Sequence, residues 1–252
     1  MTLVVTVSCS DGIVMGADRL ITIRSGTNFH PIDSRRKIIA LHNHGICVSY
    51  WGLATLNRIR MEQHIRNVER TVMNSGIFNI NTFSSALFNY LTIYQPSNSM
   101  GFHISGFFNN QPQIRHIFHE TYHPIQGNNF TLENTNLEYH DINNGRRLPH
   151  PNRLDHLALF NGDNIMVNGL INYPPLLTRG QMSIPFNRMN LSEAQKLVEL
   201  LIGATINMQN FVGIYRRRGR IVGNGIDIFA IAPNGIITQV TRSRKTIKLD
   251  LR

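Results

Sequence analysis

The 252-residue sequence predicts a mixed α+β fold in which two antiparallel sheets carry helices on their outer faces, and three observations lead there. Apolar strand-like runs joined by tight turns crowd both ends of the chain. Stretches with helical spacing lie between them. The order is hairpins, helices, strands, one more helix and a last hairpin, and not the strict strand–helix alternation of a parallel sheet.

Taken in order, residues 3–9 (LVVTVSC) and 13–18 (IVMGAD) flank Ser10-Asp11-Gly12. Apolar runs on either side of Asp-Gly are a strong hairpin signal. Residues 37–41 and 45–50 flank His42-Asn43-His44 and predict a second hairpin. Beyond Gly52, residues Leu53, Leu56, Ile59, His64, Ile65, Val68 and Val72 follow helical spacing, and Gly76 is the expected stop. Thr82 or Asn81 is expected to cap a second helix reaching about Tyr94, before Pro96.

Strands at 102–108 and 113–118 are expected around the turn-rich four Asn109-Asn110-Gln111-Pro112. Residues 120–155, rich in Asn, His and Pro, read as an irregular excursion around one or two short strands. A strand over 157–160 is expected to end in an Asn161-Gly162-Asp163 turn. Ser192 is expected to cap a third helix with Ala194, Leu197, Val198, Leu201, Ile202 and Thr205 on one face. Strands 226–232 and 236–240 close the chain around Pro233-Asn234-Gly235. No repeat or linker divides it, so one domain over residues 1–252 is expected.

Bulk composition bounds the function. With 42% hydrophobic residues the chain can bury a large core. No apolar run of about 18 residues suggests a membrane helix. The N-terminus lacks the basic flank and small-residue cleavage site of a signal peptide, so the cytoplasm is the expected compartment. Cys9 and Cys47 sit in apolar runs and read as buried free thiols.

The net charge of +10 and pI of about 10.2 favour polyanionic partners in general. The basic residues, however, are scattered among Arg35-Arg36-Lys37, Arg216 to Arg220 and the tail from Arg242 to Lys248, and no nucleic-acid-binding motif accompanies them. A nucleic-acid-binding protein is carried as a separate class that predicts steeply salt-dependent binding. His116, His119 and His123 span a strand end and a turn without a carboxylate at helical spacing, so no metal is expected. Gly223-Asn224-Gly225 precedes a strand and not a helix, which argues against a nucleotide loop. No cofactor is expected.

The chemistry-bearing constellation is at the N-terminus. Thr2 follows Met1 directly, and a small residue there permits removal of the Met. An α-amine has a pKa of about 7.7–8.0, so near neutral pH a useful fraction is free to act as base for its own hydroxyl. Asp18 ends the strand paired with the one that Thr2 begins. Lys37 opens the next strand. A Lys ammonium near the Thr hydroxyl would favour its deprotonation, and Asp18 would hold that Lys. Gly52, at the entry to the first helix, allows a backbone N–H to approach a developing oxyanion. Singly, Asp18 and Lys37 read also as solvated charges and Gly52 as a plain helix-start glycine, but in this order and spacing the set is not ordinary.

The run from Thr2-Leu3-Val4-Val5 to Asp11-Gly12-Ile13-Val14-Met15-Gly16-Ala17-Asp18 resembles, without a gap, the opening of the proteasome β-subunit family of N-terminal-nucleophile hydrolases. Lys37-Ile38 is similar to that family's Lys-Ile pair. Tyr50-Trp51-Gly52-Leu53-Ala54 is similar to its oxyanion-glycine run, and Gly223-Asn224-Gly225-Ile226-Asp227-Ile228 to its C-terminal Gly-rich segment.

The resemblance implies a four-layer αββα sandwich and amide hydrolysis through an acyl-enzyme on Thr2, with Asp18 and Lys37 in support and neither metal nor cofactor. It implies a peptide or protein substrate and a homo-oligomeric ring or barrel. Thr22 falls on a substrate-contacting Thr. Leu20 replaces a basic residue of the same region, and Asn161, with Gly162 and Asp163, stands where the family has Gly-Ser-Gly supporting the amine. The family's second Asp after the third helix has no counterpart; Gln209 and Asn210 lie near its place. A transpeptidase or ligase would use the same acyl-enzyme, and a catalytically inactive assembly subunit would share the fold.

Overall fold

In the computed structural model the described residues are 2–25, 28–33, 35–94, 96, 98–119, 131–134, 138–141, 146–149, 158–162, 186, 188–209, 222–223 and 225–243. They form an α+β architecture with two five-stranded antiparallel sheets. The first runs in the order β14–β1–β2–β15–β16, built from Ala158–Gly162, Leu3–Cys9, Gly12–Asp18, Gly225–Ile231 and Ile237–Ser243. The second runs β11–β10–β9–β6–β5, from Thr131–Asn134, Gln111–His119, Met100–Phe108, Ile46–Trp51 and Ile38–Leu41. Three two-stranded ribbons complete the strands: β3 (Leu20–Ser25) with β4 (Asn28–Asp33), β7 (Thr55–Leu56) with β8 (Ile59–Arg60), and β12 (Glu138–Asp141) with β13 (Arg146–Pro149).

The helices among the described residues are α1 (Met61–Asn74), α2 (Ile80–Leu91) and α3 (Leu191–Met208), besides a single 3₁₀ turn over His42–His44. Their packing follows strand alternation. On β1, Leu3, Val5 and Val7 meet Ala194, Val198 and Ile202 of α3. Val4 points the other way and joins Met15, Ile38, Cys47, Trp51 and Phe118 in a cluster drawn from both sheets. A third cluster puts Val48, Phe102 and Ile104 against Ile65 of α1 and Phe83 and Leu87 of α2. Every residue of β1 and β2 is buried, because both faces of these strands are covered. Cys9 and Cys47 are buried free thiols, and burial pushes the Cys9 thiol up to about 12.

Several element ends differ from the expectation. The helical spacing that began at Leu53 is interrupted, since Asn57 and Arg58 adopt positive φ (49° and 64°) and turn β7 into β8, so α1 starts only at Met61. The cap of α2 is Asn79, and Thr82 is the reciprocal member of its capping box. In α3 the same roles fall to Asn190 and Glu193, not Ser192.

The β9–β10 turn is the two-residue Asn109-Asn110, with φ of 51° and 61°. Pro112 therefore lies inside β10, opposite Phe107, where the outer neighbour β11 has not yet begun to pair. Asn161 and Gly162 extend β14 as ladder partners of Val4 and Leu3 instead of forming a turn. The β3–β4 ribbon was not anticipated, and residues 131–149 contribute three short strands where one or two were expected. His123, Asp163, Asn210, the Arg216–Arg220 cluster and the tail beyond Ser243 lie outside the described residues.

Candidate active site

The geometry of the site follows from the end of β2. Its last residue, Asp18, is fully buried, and so is Lys37 at 1% exposure. Lys37 Nζ donates to Asp18 Oδ1 at 2.9 Å. The same oxygen accepts from Leu3 N at 2.8 Å. The residue directly after Thr2 and the Lys37 ammonium thus converge on one carboxylate oxygen. The other oxygen, Oδ2, accepts from Leu20 N at 2.9 Å and Gly223 N at 3.0 Å.

A bare ion pair at this depth would barely offset its desolvation. Three backbone N–H donors in addition to the ammonium satisfy the carboxylate, and they fix its position from three separate parts of the chain. Thr2 is itself buried, at 6% exposure, one residue beyond the ladder that joins Leu3 to Gly162.

Lys37 is held at its backbone as well as at its head. Tyr50 N donates to Lys37 O at 3.0 Å, and Tyr50 Oη donates to Arg36 O at 3.0 Å. Burial, reinforced by Glu62, pushes the Tyr50 phenol up to about 12 and keeps it a donor. Two residues after Tyr50 comes Gly52, exposed and at φ +84°. A Cβ there would stand 2.3 Å from Ser99 O and 2.7 Å from Met100 Cα, so both conformation and space require glycine. Gly52 follows β6 on the same run that anchors Lys37.

Of the remaining predicted residues, Leu20 joins the Asp18 carboxylate and the others disperse. Leu20 is buried with its N–H on Asp18. Thr22 lies on β3 opposite Pro31. Asn161 is buried opposite Val4, and its Oδ1 accepts from His103 Nε2 at 2.7 Å. Because a carboxamide oxygen only accepts, Nε2 carries the proton, and His103 Nδ1 accepts from Thr6 Oγ1 at 2.9 Å. Burial lowers His103 to about 4, partly countered by the Asn161 bond, so the imidazole is neutral. Asp227 pairs with Arg19 at 3.5 Å and accepts from Thr241 at 2.9 Å, apart from the Asp18–Lys37 pair.

Sequence reasoning did not foresee His103 or the Gly223 amide. His103 carries no motif, and Gly223 lies 205 residues from Asp18 in sequence. The antiparallel pairing of β15 with β2, which sets Ile226 opposite Asp18, is what brings Gly223 there. A cavity of about 230 Å³ lined by Cys9, Asp11, Phe107 and Gln111 lies at the turn end of β1, roughly 20 Å along the strand from Thr2, and belongs to a different part of the molecule.

No family model matches the sequence, and no curated protein matches it. Among solved structures, the fold is similar to that of an Anbu (Gly-1) mutant from Hyphomicrobium sp. strain MC1, with a TM-score of 0.60 and 13% identity over 98% of this chain and 89% of that one. Anbu is a bacterial protein of the proteasome-like, Ntn-hydrolase fold, and the likeness is one of fold alone.

Proposed function

We propose that the chain is a threonine-type N-terminal-nucleophile hydrolase acting on amide bonds of a peptide or protein substrate. The observation that carries this reading is the buried Asp18–Lys37 pair sharing one oxygen with the N–H of Leu3. In the proposed mechanism the free α-amine of Thr2 takes the proton of Thr2 Oγ1. The oxygen attacks the substrate carbonyl carbon while the Lys37 ammonium favours the alkoxide. Gly52 N–H receives the developing oxyanion. The amine's proton passes to the leaving nitrogen, and water then cleaves the acyl ester to restore Thr2.

In this reading the two sheets and their helices are a four-layer αββα sandwich, supported by one apolar cluster between the sheets and one on each outer face. The chain acts as one domain over residues 1–252, in the cytoplasm, as a homo-oligomeric ring or barrel. Asn161 contributes to the amine's surroundings from the same face of the sheet as Val4. Thr22 belongs to the rim that receives substrate, whereas Leu20 is fully buried and contributes through its N–H on Asp18.

Intact-mass measurement before and after incubation with a peptide epoxyketone tests the proposal, since that reagent closes a ring on both the hydroxyl and the amine of an N-terminal Thr. The expected result is loss of Met1 and one added inhibitor. Thr2→Ala is expected to take none. Lys37→Met is expected to label on the order of 10²-fold more slowly while Asp18 keeps its three N–H donors. A chain that retains Met1, or loses it and never labels, would point instead to a catalytically inactive assembly subunit.

A further inference from the structure

One of the donors on Asp18 is held in place by a side chain from another element. Gln209, the C-cap of α3, is buried at 4% exposure. Its Nε2 donates to Val222 O at 2.9 Å, and its Oε1 accepts from Val222 N at 3.2 Å. The carboxamide therefore pairs with both polar groups of one residue, as a neighbouring strand would. The same Nε2 donates to Ile206 O at 3.1 Å, which ties the pair to the last turn of the helix. The next N–H along the chain, that of Gly223, is the one that reaches Asp18 Oδ2.

We infer that Gln209 is a positioning residue for the Asp18–Lys37 pair: its amide fixes Val222 so that the following N–H of Gly223 stays on Asp18. The inference rests on the reading of Asp18 and Lys37 as the support of Thr2. The chemistry of the residue type is specific. Glutamate offers Val222 N an acceptor but nothing for Val222 O. Methionine matches the volume and offers neither. Val222 is fully buried in the cluster that also holds Ile206, so apolar packing keeps the segment near α3 when the amide is removed. The variant is therefore expected to fold with Gly223 less well aimed.

The test uses the full chain and the peptide epoxyketone, with the maximal labelling rate and the reagent's half-saturating concentration measured separately. Gln209→Met is expected to keep a cooperative thermal transition and one inhibitor per chain. Its half-saturating concentration should stay within about twofold of wild type, because Gln209 is buried and touches no substrate. Its maximal rate should fall about tenfold or more, as misplacement of a catalytic support does. Amide exchange at 222–223 should quicken while that of α3 and β1 stays unchanged. Gln63→Met, on the exposed face of α1, serves as the control and should match wild type.

A folded Gln209→Met with a wild-type maximal rate overturns the inference. So does a loss seen only as a lower labelled fraction with unchanged kinetics. Should Gln209→Met not fold, Gln209→Glu is read with the same expectations, and loss of folding in both would mark the residue as a helix cap only. If wild type takes no label, it is the Thr2 reading that fails. Exchange at 222–223 then decides the inference alone, faster exchange in Gln209→Met supporting the clamp and unchanged exchange overturning it.

Discussion

At the scale of single residues, burial with full satisfaction sets the behaviour of Asp18, Lys37 and His103. Asp18 and Lys37 are charged and enclosed, and the carboxylate takes four donors to stand that burial. His103 takes the other course and stays neutral between Thr6 and Asn161. Its depressed value has a consequence for stability. The unfolded chain binds a proton on this histidine below about 6.5, whereas the folded chain resists protonation down to about 4. The folded state is therefore unpenalised above 6.5 and loses stability as pH falls through that window, by up to on the order of 3 kcal/mol. Thermal melts between pH 7 and pH 4 are expected to show the loss, and His103→Gln should flatten it. An unchanged slope in that variant would place the acid sensitivity elsewhere. Of these residues, Asp18 and Lys37 were legible in the sequence because an ionisable residue at the end of an apolar strand is conspicuous. His103 was not, since nothing local in Gly101-Phe102-His103-Ile104 marks it as the partner of β1 and β14.

At the scale of elements, periodicity located most strands and all three long helices among the described residues, while turn chemistry decided their ends. The Asp11-Gly12 hairpin was read to within one residue and the closing hairpin to within three, its last strand reaching Ser243 and not Val240. The start of α1 was misread because Leu53, Leu56 and Ile59 keep helical spacing through a ribbon, and only the positive φ of Asn57 and Arg58 breaks it. The caps of α2 and α3 were misplaced by two or three residues because Asn79 and Asn190 compete with equally good cap residues beside them. Gly52 is where an element end meets the proposed chemistry. Its φ of +84° and the 2.3 Å approach of Ser99 O leave no place for a methyl group. Gly52→Ala is expected to cost about 2 kcal/mol or more in chemical denaturation, beyond the left-handed backbone penalty alone. In the proposed mechanism it also slows epoxyketone labelling, since its N–H must turn away. An alanine variant as stable as wild type would mean that β6 and β9 can part at that point without loss.

At the scale of the whole molecule, the candidate site is assembled by the closing of a sheet. Asp18 receives Leu3 from the adjacent strand, Lys37 from the residue just before β5 of the other sheet and Gly223 from the approach to β15. The strand order β1–β2–β15–β16 makes the last hairpin the neighbour of the first one. Sequence patterns show each hairpin but carry no signal of which strands lie side by side, so this part of the site could be known only from the fold. Such non-local pairing closes late, because loop entropy opposes it until both partners are formed. Without β15, strand β2 becomes a long apolar edge, and Ile226, Ile228 and Ala230 leave the cluster beneath α3. Deletion of residues 222–252 is therefore expected to abolish both the cooperative thermal transition and labelling at Thr2, although every one of Thr2, Asp18 and Lys37 remains. Circular dichroism melts and intact-mass labelling of the shortened chain check this together. A shortened chain that melts cooperatively and still labels would show that β1, β2 and Lys37 form the working site by themselves, and would confine Gly223 to stabilising a pair already in place.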